Sequence, residues 1–169
     1  MKRAAFLLVS LFIFGADQLT KHLVRSSFEL YESVPVLGDL LRLTYVQNTG
    51  AGFSLSLGSP EFNRWTFSIV QLLAVIVLTW MVIHARHKLP AICYSLIIGG
   101  AAGNLFDRLR LGGVTDFVDA DFPDFIMQRW PVFNVADSAI VVGITLFIVY
   151  TLFLERKHNP GDADHETLA

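Results

Sequence analysis

Residues 112–137 read GGVTDFVDADFPDFIMQRWPVFNVAD and separate two apolar segments, each long enough to cross a bilayer. Five aspartates fall in this stretch (Asp116, Asp119, Asp121, Asp124 and Asp137), against one cation, Arg129. Asp137 stands apart from the other four, because past Pro131 and Asn134 the chain has already turned apolar again. A carboxylate at the mouth of a membrane span is expensive to keep there, which marks it as a candidate functional group.

Working outward, the flanking segments 90–106 and 132–154 are two of four apolar blocks; the others cover about 4–24 and 64–83. Across the 169 residues 53% are apolar and 17% charged, and the mean hydropathy is +0.52. Soluble domains run nearer 45–50% apolar and about 25% charged. The expected fold is therefore an all-α membrane protein, a single integral membrane domain over 1–169 with four transmembrane helices. Lys2-Arg3 and the apolar run behind them resemble a secretory signal. No A-x-A cleavage site follows, and the helical pattern continues through Asp17 and Lys21 to Val24, so an uncleaved first span is expected. Trp65 and Trp80 lie near the two ends of the second span, as interfacial aromatics do. Gly99 and Gly103 form a G-x-x-x-G pair in the third, which favours close helix–helix approach.

Lys2-Arg3, the Arg86/Lys88 pair in the HARHK connection, and Arg156/Lys157 assign both termini to the cytoplasm by the positive-inside rule. The segments 25–63 and 107–131 then lie outside, and the polar tail 155–169 inside. LLRLTYV at 40–46 has strand composition, and NTGAGFS after it is rich in turn formers. A small β-containing segment on the extracytoplasmic face follows. The net charge of −2 and the lack of a basic cluster argue against a nucleic-acid partner. Cys93, the single cysteine, lies in an apolar block and reads as a buried thiol.

Three polar groupings converge at the outer face: NTGAGFS, GNLFDR and the aspartate stretch. Asp17 and Lys21, four apart on one helix face, suit a structural ion pair with Lys21 snorkelling to the interface. Asn104 and Arg108 are also four apart, and Arg108 has Asp107 or a loop aspartate as a candidate partner. Asn134 and Asp137 fit a helix cap with an acidic N3 partner. Two carboxyl groups brought close cannot both ionise, and such a pair supplies an acid and a base. The five histidines are scattered, so zinc is not expected. The aspartate string lacks the central glycine and terminal glutamate of an EF-hand. Residue chemistry alone reaches a membrane protein with a carboxylate-bearing outer site. A small transporter and a lipid-head-group enzyme stay open, though no repeat and no cation cluster favours either.

Five segments in order resemble the motif blocks of the bacterial lipoprotein signal peptidases (signal peptidase II): DQLTK at 17–21, NTGAGFS at 48–54, GGAAGNLFDR at 99–108, VTDF at 114–117 and FNVADS at 133–138. The resemblance covers nearly the whole chain. It implies a membrane aspartic endopeptidase that removes the signal peptide of a diacylglyceryl-modified prolipoprotein, cutting before the lipidated cysteine. It implies Asp116 and Asp137 as the catalytic pair, Asn48, Asn104, Arg108 and Asn134 around the substrate, and Asp17 with Lys21 in structural support. No metal, no cofactor, a monomer and a bacterial inner-membrane location follow from it. Gly52 and Thr115 depart from the usual alanine and valine. Asp119, Asp121 and Asp124 fall outside the catalytic motif and read as solvated surface.

Overall fold

The computed structural model describes residues 3–50, 58–121 and 129–154. The turn-rich residues 51–54, Asp124 and the polar tail lie outside that set. After a 3-10 turn at Arg3–Phe6 come α1 (Leu7–Ser27), β1 (Ser33–Leu37), β2 (Leu41–Asn48), α2 (Pro60–His84), α3 (Lys88–Leu111), β3 (Val114–Ala120) and α4 (Val135–Val149). One π-helical turn, Tyr150–Leu154, extends α4. Among the described residues four helices are long and apolar enough to cross a membrane.

Local chemistry sets the helix ends. Ser59 caps α2, its hydroxyl accepting from the Phe62 N–H, and Pro60 takes a first-turn position that needs no donor. α3 runs on to Leu111, past the expected end near 106, and stops where Gly112 adopts φ +82°. Only glycine takes that left-handed conformation without strain. Arg108 and Arg110 in its last turn suit the negative end of the helix dipole.

α3 is the central helix: 61% of its most apolar stretch is buried, against 11–22% in the other three. Small residues make this possible. A side chain on Gly99 would stand 2.7 Å from the Ser10 carbonyl of α1, and one on Gly100 would run into the Ala136 carbonyl of α4. One on Gly103 would collide with the Asp17 carboxylate. Lipid supplies no hydrophobic drive between helices, so packing this close is what holds them. Outward-facing Phe12, Leu19, Leu72, Ile76, Trp80, Val141 and Ile148 are exposed, which suits an apolar surrounding.

The sheet has the order β1-β2-β3, with both pairs antiparallel. It joins the α1–α2 connection to the α3–α4 connection, so both expected outer segments meet at one end of the bundle. At the other end a core of Phe6, Val82, Ala91, Tyr94 and Ile98 closes the helices. There Arg3 donates to the Arg86 carbonyl at 2.7 Å, placing the N-terminal turn beside the α2–α3 connection. The strand reading of 40–46 holds as β2; β3 was not foreseen.

Candidate active site

Asp116 sits mid-strand in β3, opposite Val46 of β2, and is 2% exposed. Its position is fixed from the next strand and from the start of α4. Asn48, near the end of β2, donates Nδ2 to Oδ2 at 3.0 Å. Asn134 donates Nδ2 to Oδ1 at 2.6 Å. Asn134 can reach because the Phe133 N–H and carbonyl pair with Val118, stitching the chain ahead of α4 onto β3.

Asn134 is also the cap of α4. Its Oδ1 accepts from the Asp137 N–H at 2.9 Å, and its own N–H donates to Asp137 Oδ2 at 3.2 Å. The expected cap with an acidic N3 partner is present in full. The other carboxylate oxygen, Oδ1, accepts from Asn104 Nδ2 at 2.8 Å. Asp137 thus sits in the first turn of α4 with an N–H donor on each carboxylate oxygen.

The three asparagines follow one rule. Each has its oxygen occupied by a donor elsewhere and turns its NH2 toward an aspartate. The Asn48 oxygen takes the Gly50 N–H at 2.9 Å, the Asn104 oxygen takes Lys21 Nζ at 2.8 Å, and the Asn134 oxygen takes the Asp137 N–H. Amide orientation is therefore dictated by the network.

Burial pushes the Asp116 carboxyl up to about 7, and the neighbouring Asp137 charge adds to the rise. The Asn48 and Asn134 donors oppose it without cancelling it. The Asp116 carboxyl is therefore within reach of protonation near neutral pH. Both aspartates line a cleft of about 660 Å³ whose opposite walls are apolar, with Phe67 and Val70 from α2 and Ile140 and Val141 from α4.

Arg108 lines the same cleft, but its partners differ from those expected. It donates to the Gly50 carbonyl at 2.7 Å and to Gln71 Oε1 at 3.2 Å, with its guanidinium carbon 5.5 Å from the Phe67 ring centre. Asp107 faces the other way, 3.6 Å from both Lys21 Nζ and Arg25 Nη1. On a helix adjacent residues point about 100° apart, so one cannot follow the other. Lys21 does not snorkel. It is 0% exposed, 2.9 Å from Asp17, and fully enclosed between α1 and α3. Nor is Asp119 solvated: it is buried, ion-paired to Arg129, and accepts from Thr44 Oγ1 at 2.8 Å. Asp121 is partly exposed, with Arg129 3.8 Å away.

Sequence reasoning set Asp107 against Arg108 rather than against Lys21 and Arg25, and missed Gln71 as a neighbour of the site. Asn104 and Asp107 are three apart on α3, a spacing that places both on one face and signals where Asp107 points. Gln71 carried only the signal of an amide in an apolar span. Among the described residues no three His, Cys, Asp or Glu side chains gather as a metal site.

The signal peptidase (SPase) II family model matches residues 9–153. A lipoprotein signal peptidase of Geobacter metallireducens is 43% identical over 145 residues, covering 85% of this chain and 87% of that protein. One from Photorhabdus laumondii is 44% identical over 135 residues, covering 79% and 78%. A bacterial membrane enzyme solved by the in meso method at 2.3 Å resolution superposes with a TM-score of 0.79 at 26% identity, covering 94% of this chain and 91% of that one. Family match, sequence relatives and fold agree along nearly the same length: the chain belongs to the signal peptidase II family.

Proposed function

We propose that the chain is an aspartic endopeptidase that removes the signal peptide from diacylglyceryl-modified prolipoproteins, cutting before the lipidated cysteine. The observation that carries this reading is the joint tethering of Asp116 and Asp137 through Asn134 at the polar end of a cleft with apolar walls. Asp137, at the helix end, is the charged member and takes a proton from water. The water oxygen attacks the scissile carbonyl while protonated Asp116 donates to the carbonyl oxygen. Collapse of the tetrahedral intermediate sends the proton held on Asp137 to the leaving amine and returns the oxygen's proton to Asp116. No covalent enzyme intermediate and no metal enters. Asn48, Asn104, Arg108 and Asn134 surround the substrate backbone, the asparagines while holding the carboxyls in place. The apolar walls suit acyl chains and an apolar signal segment, so the substrate's lipid stays in the bilayer.

The chain is read as one integral membrane domain of the bacterial inner membrane, with the sheet and site near the extracytoplasmic face and both termini inside. The cations Arg3, Arg86 and Lys88 at the end opposite the sheet support that orientation. Both aspartates and all three asparagines come from one chain, which fits a monomer. The test is a gel-shift assay with purified enzyme and a prolipoprotein, with and without its diacylglyceryl group and with and without chelator. Cleavage of the lipidated form alone, unaffected by chelator, is expected. Cleavage lost to chelator and restored by added ion would replace this mechanism with a metal-dependent one.

A further inference from the structure

Behind the aspartates lies a closed charge cluster that the reaction as written does not use. Lys21, on α1, is 0% exposed and lies between two buried carboxylates, Asp17 on its own helix and Asp107 on α3. Arg25, 3.6 Å from Asp107, completes two acids and two bases. Arg25 is one-fifth exposed and the other three are buried, and burying three charges is costly unless each is matched, so the cluster is held together by its own geometry.

Its contacts reach both aspartates. The Asp17 Oδ1 accepts from the Ala136 N–H at 3.0 Å, the residue before Asp137. The Asp107 Oδ2 accepts from the Thr115 N–H at 2.9 Å, the residue before Asp116. The two carboxylates that flank Lys21 thus grip the backbone immediately ahead of each aspartate. Arg25 adds a bond to Thr115 Oγ1 at 3.0 Å, which valine at that position would not accept.

Lys21 makes a third connection, to Asn104 Oδ1. An ammonium has donors and no acceptor, so it tolerates only the oxygen end of that amide. Turned over, Asn104 would set NH2 against the ammonium and its oxygen against Asp137 Oδ1. Both contacts would then be repulsive.

We propose that Lys21 is a positioning residue: by occupying the Asn104 oxygen it commits the amide N–H to Asp137, and through Asp17 and Asp107 it holds α4 and β3 in register around the reacting water. This rests on the two-aspartate reading above. Among the described residues, the charged groups that act on Asp116 are Asp137 from α4 and Lys21 from α1, and Arg108 from α3 feels both aspartates, while α2 offers the uncharged Gln71.

The test measures kcat, KM and pH profile on a lipidated prolipoprotein for Lys21→Met, Asn104→Ala and the double variant. Lys21→Met is expected to lower kcat roughly ten- to a hundred-fold and leave KM nearly unchanged; because the Lys21 charge holds the Asp116 carboxyl down, its loss should also move the alkaline limb of the profile to higher pH. A residue acting through Asn104 adds little once Asn104 is gone, so the double variant should match Asn104→Ala within about threefold. Multiplying losses, or an unaltered kcat and alkaline limb in Lys21→Met, would overturn the proposal. Should Lys21→Met fail to fold for want of a counter-charge, Asp17→Asn combined with Lys21→Met removes both charges and is read the same way. Asp137→Asn run beside them separates the two ideas. If it is inactive while Lys21→Met is normal, only the positioning role falls; if it is active, the two-aspartate reading itself falls.

Discussion

Asn134 donates its side-chain amide to Asp116 across 2.6 Å, and its backbone N–H to Asp137 on the other side. One residue therefore sets the spacing between a strand carboxyl and a helix-end carboxyl. Asn134→Ala should keep the helix and lose the spacing. The lost cap costs roughly 1 kcal/mol of stability, visible as a small drop in Tm. The loss of turnover on a lipidated prolipoprotein should be far larger, a hundredfold or more, since Asp116 loses its shortest donor and the Asp137 backbone loses its cap in one change. Loss of Tm without loss of turnover would reduce Asn134 to a cap.

The Asp116 carboxyl, pushed up to about 7 by burial and the Asp137 charge, is the acid of the proposed mechanism. An acid must carry its proton, so kcat/KM should fall as pH rises through about 7. The same shift acts on stability. A folded-state value above the ordinary 3.8 favours folding below that lower value and loses the advantage as pH climbs to about 7. Asp116→Asn carries no such charge. Its Tm relative to the unaltered protein should rise from pH 5 to pH 8, whatever the offset from turning an amide N–H toward Asn48 or Asn134. A pH-independent difference would place Asp116 in a solvated setting.

Much of this site was legible before any coordinates. The four apolar blocks gave the helices, because spans of that length have few other uses. The polar pattern at Asn134 and Asp137 gave the cap, because capping is local. What escaped depends on contacts between distant residues. Val114–Ala120 is acidic and short, and becomes a strand because β2 offers it an edge. Asp119 looks like surface until Arg129 and Thr44 fold over it. Lys21 looks like an interfacial lysine until Asp107 and Asn104 arrive from 83 or more residues away.

Gly103 faces the Asp17 carboxylate so closely that a methyl group would overlap it, whereas a methyl on Gly15 would meet nothing within 4 Å. Both are helical, so the comparison isolates packing from backbone preference. Gly103→Ala should cost about 1–3 kcal/mol and lower Tm, with activity falling as Asp17 shifts from the Ala136 N–H. Gly15→Ala should leave both unchanged or slightly improve Tm. Equal effects would remove the close-approach argument.

The Asp119–Arg129 pair ties β3 to the chain ahead of α4, with Arg129 also donating to the Asp39 carbonyl at 3.1 Å. Arg129 is one-third exposed, so screening limits what the pair contributes. Asp119→Ala should lower stability by about 1 kcal/mol and reduce kcat several-fold, with raised salt producing a smaller version of both effects in the unaltered protein. Wild-type behaviour at low salt would mean the Val118–Phe133 bridge alone fixes the connection.

The central claim is that Asp116 and Asp137 share one water. The most direct measurement is cleavage of a diacylglyceryl-modified prolipoprotein by Asp116→Asn and Asp137→Asn, each purified and confirmed folded in detergent. Both should bind the substrate and neither should release signal peptide above background. Near-normal turnover by either variant would contradict the two-carboxyl account.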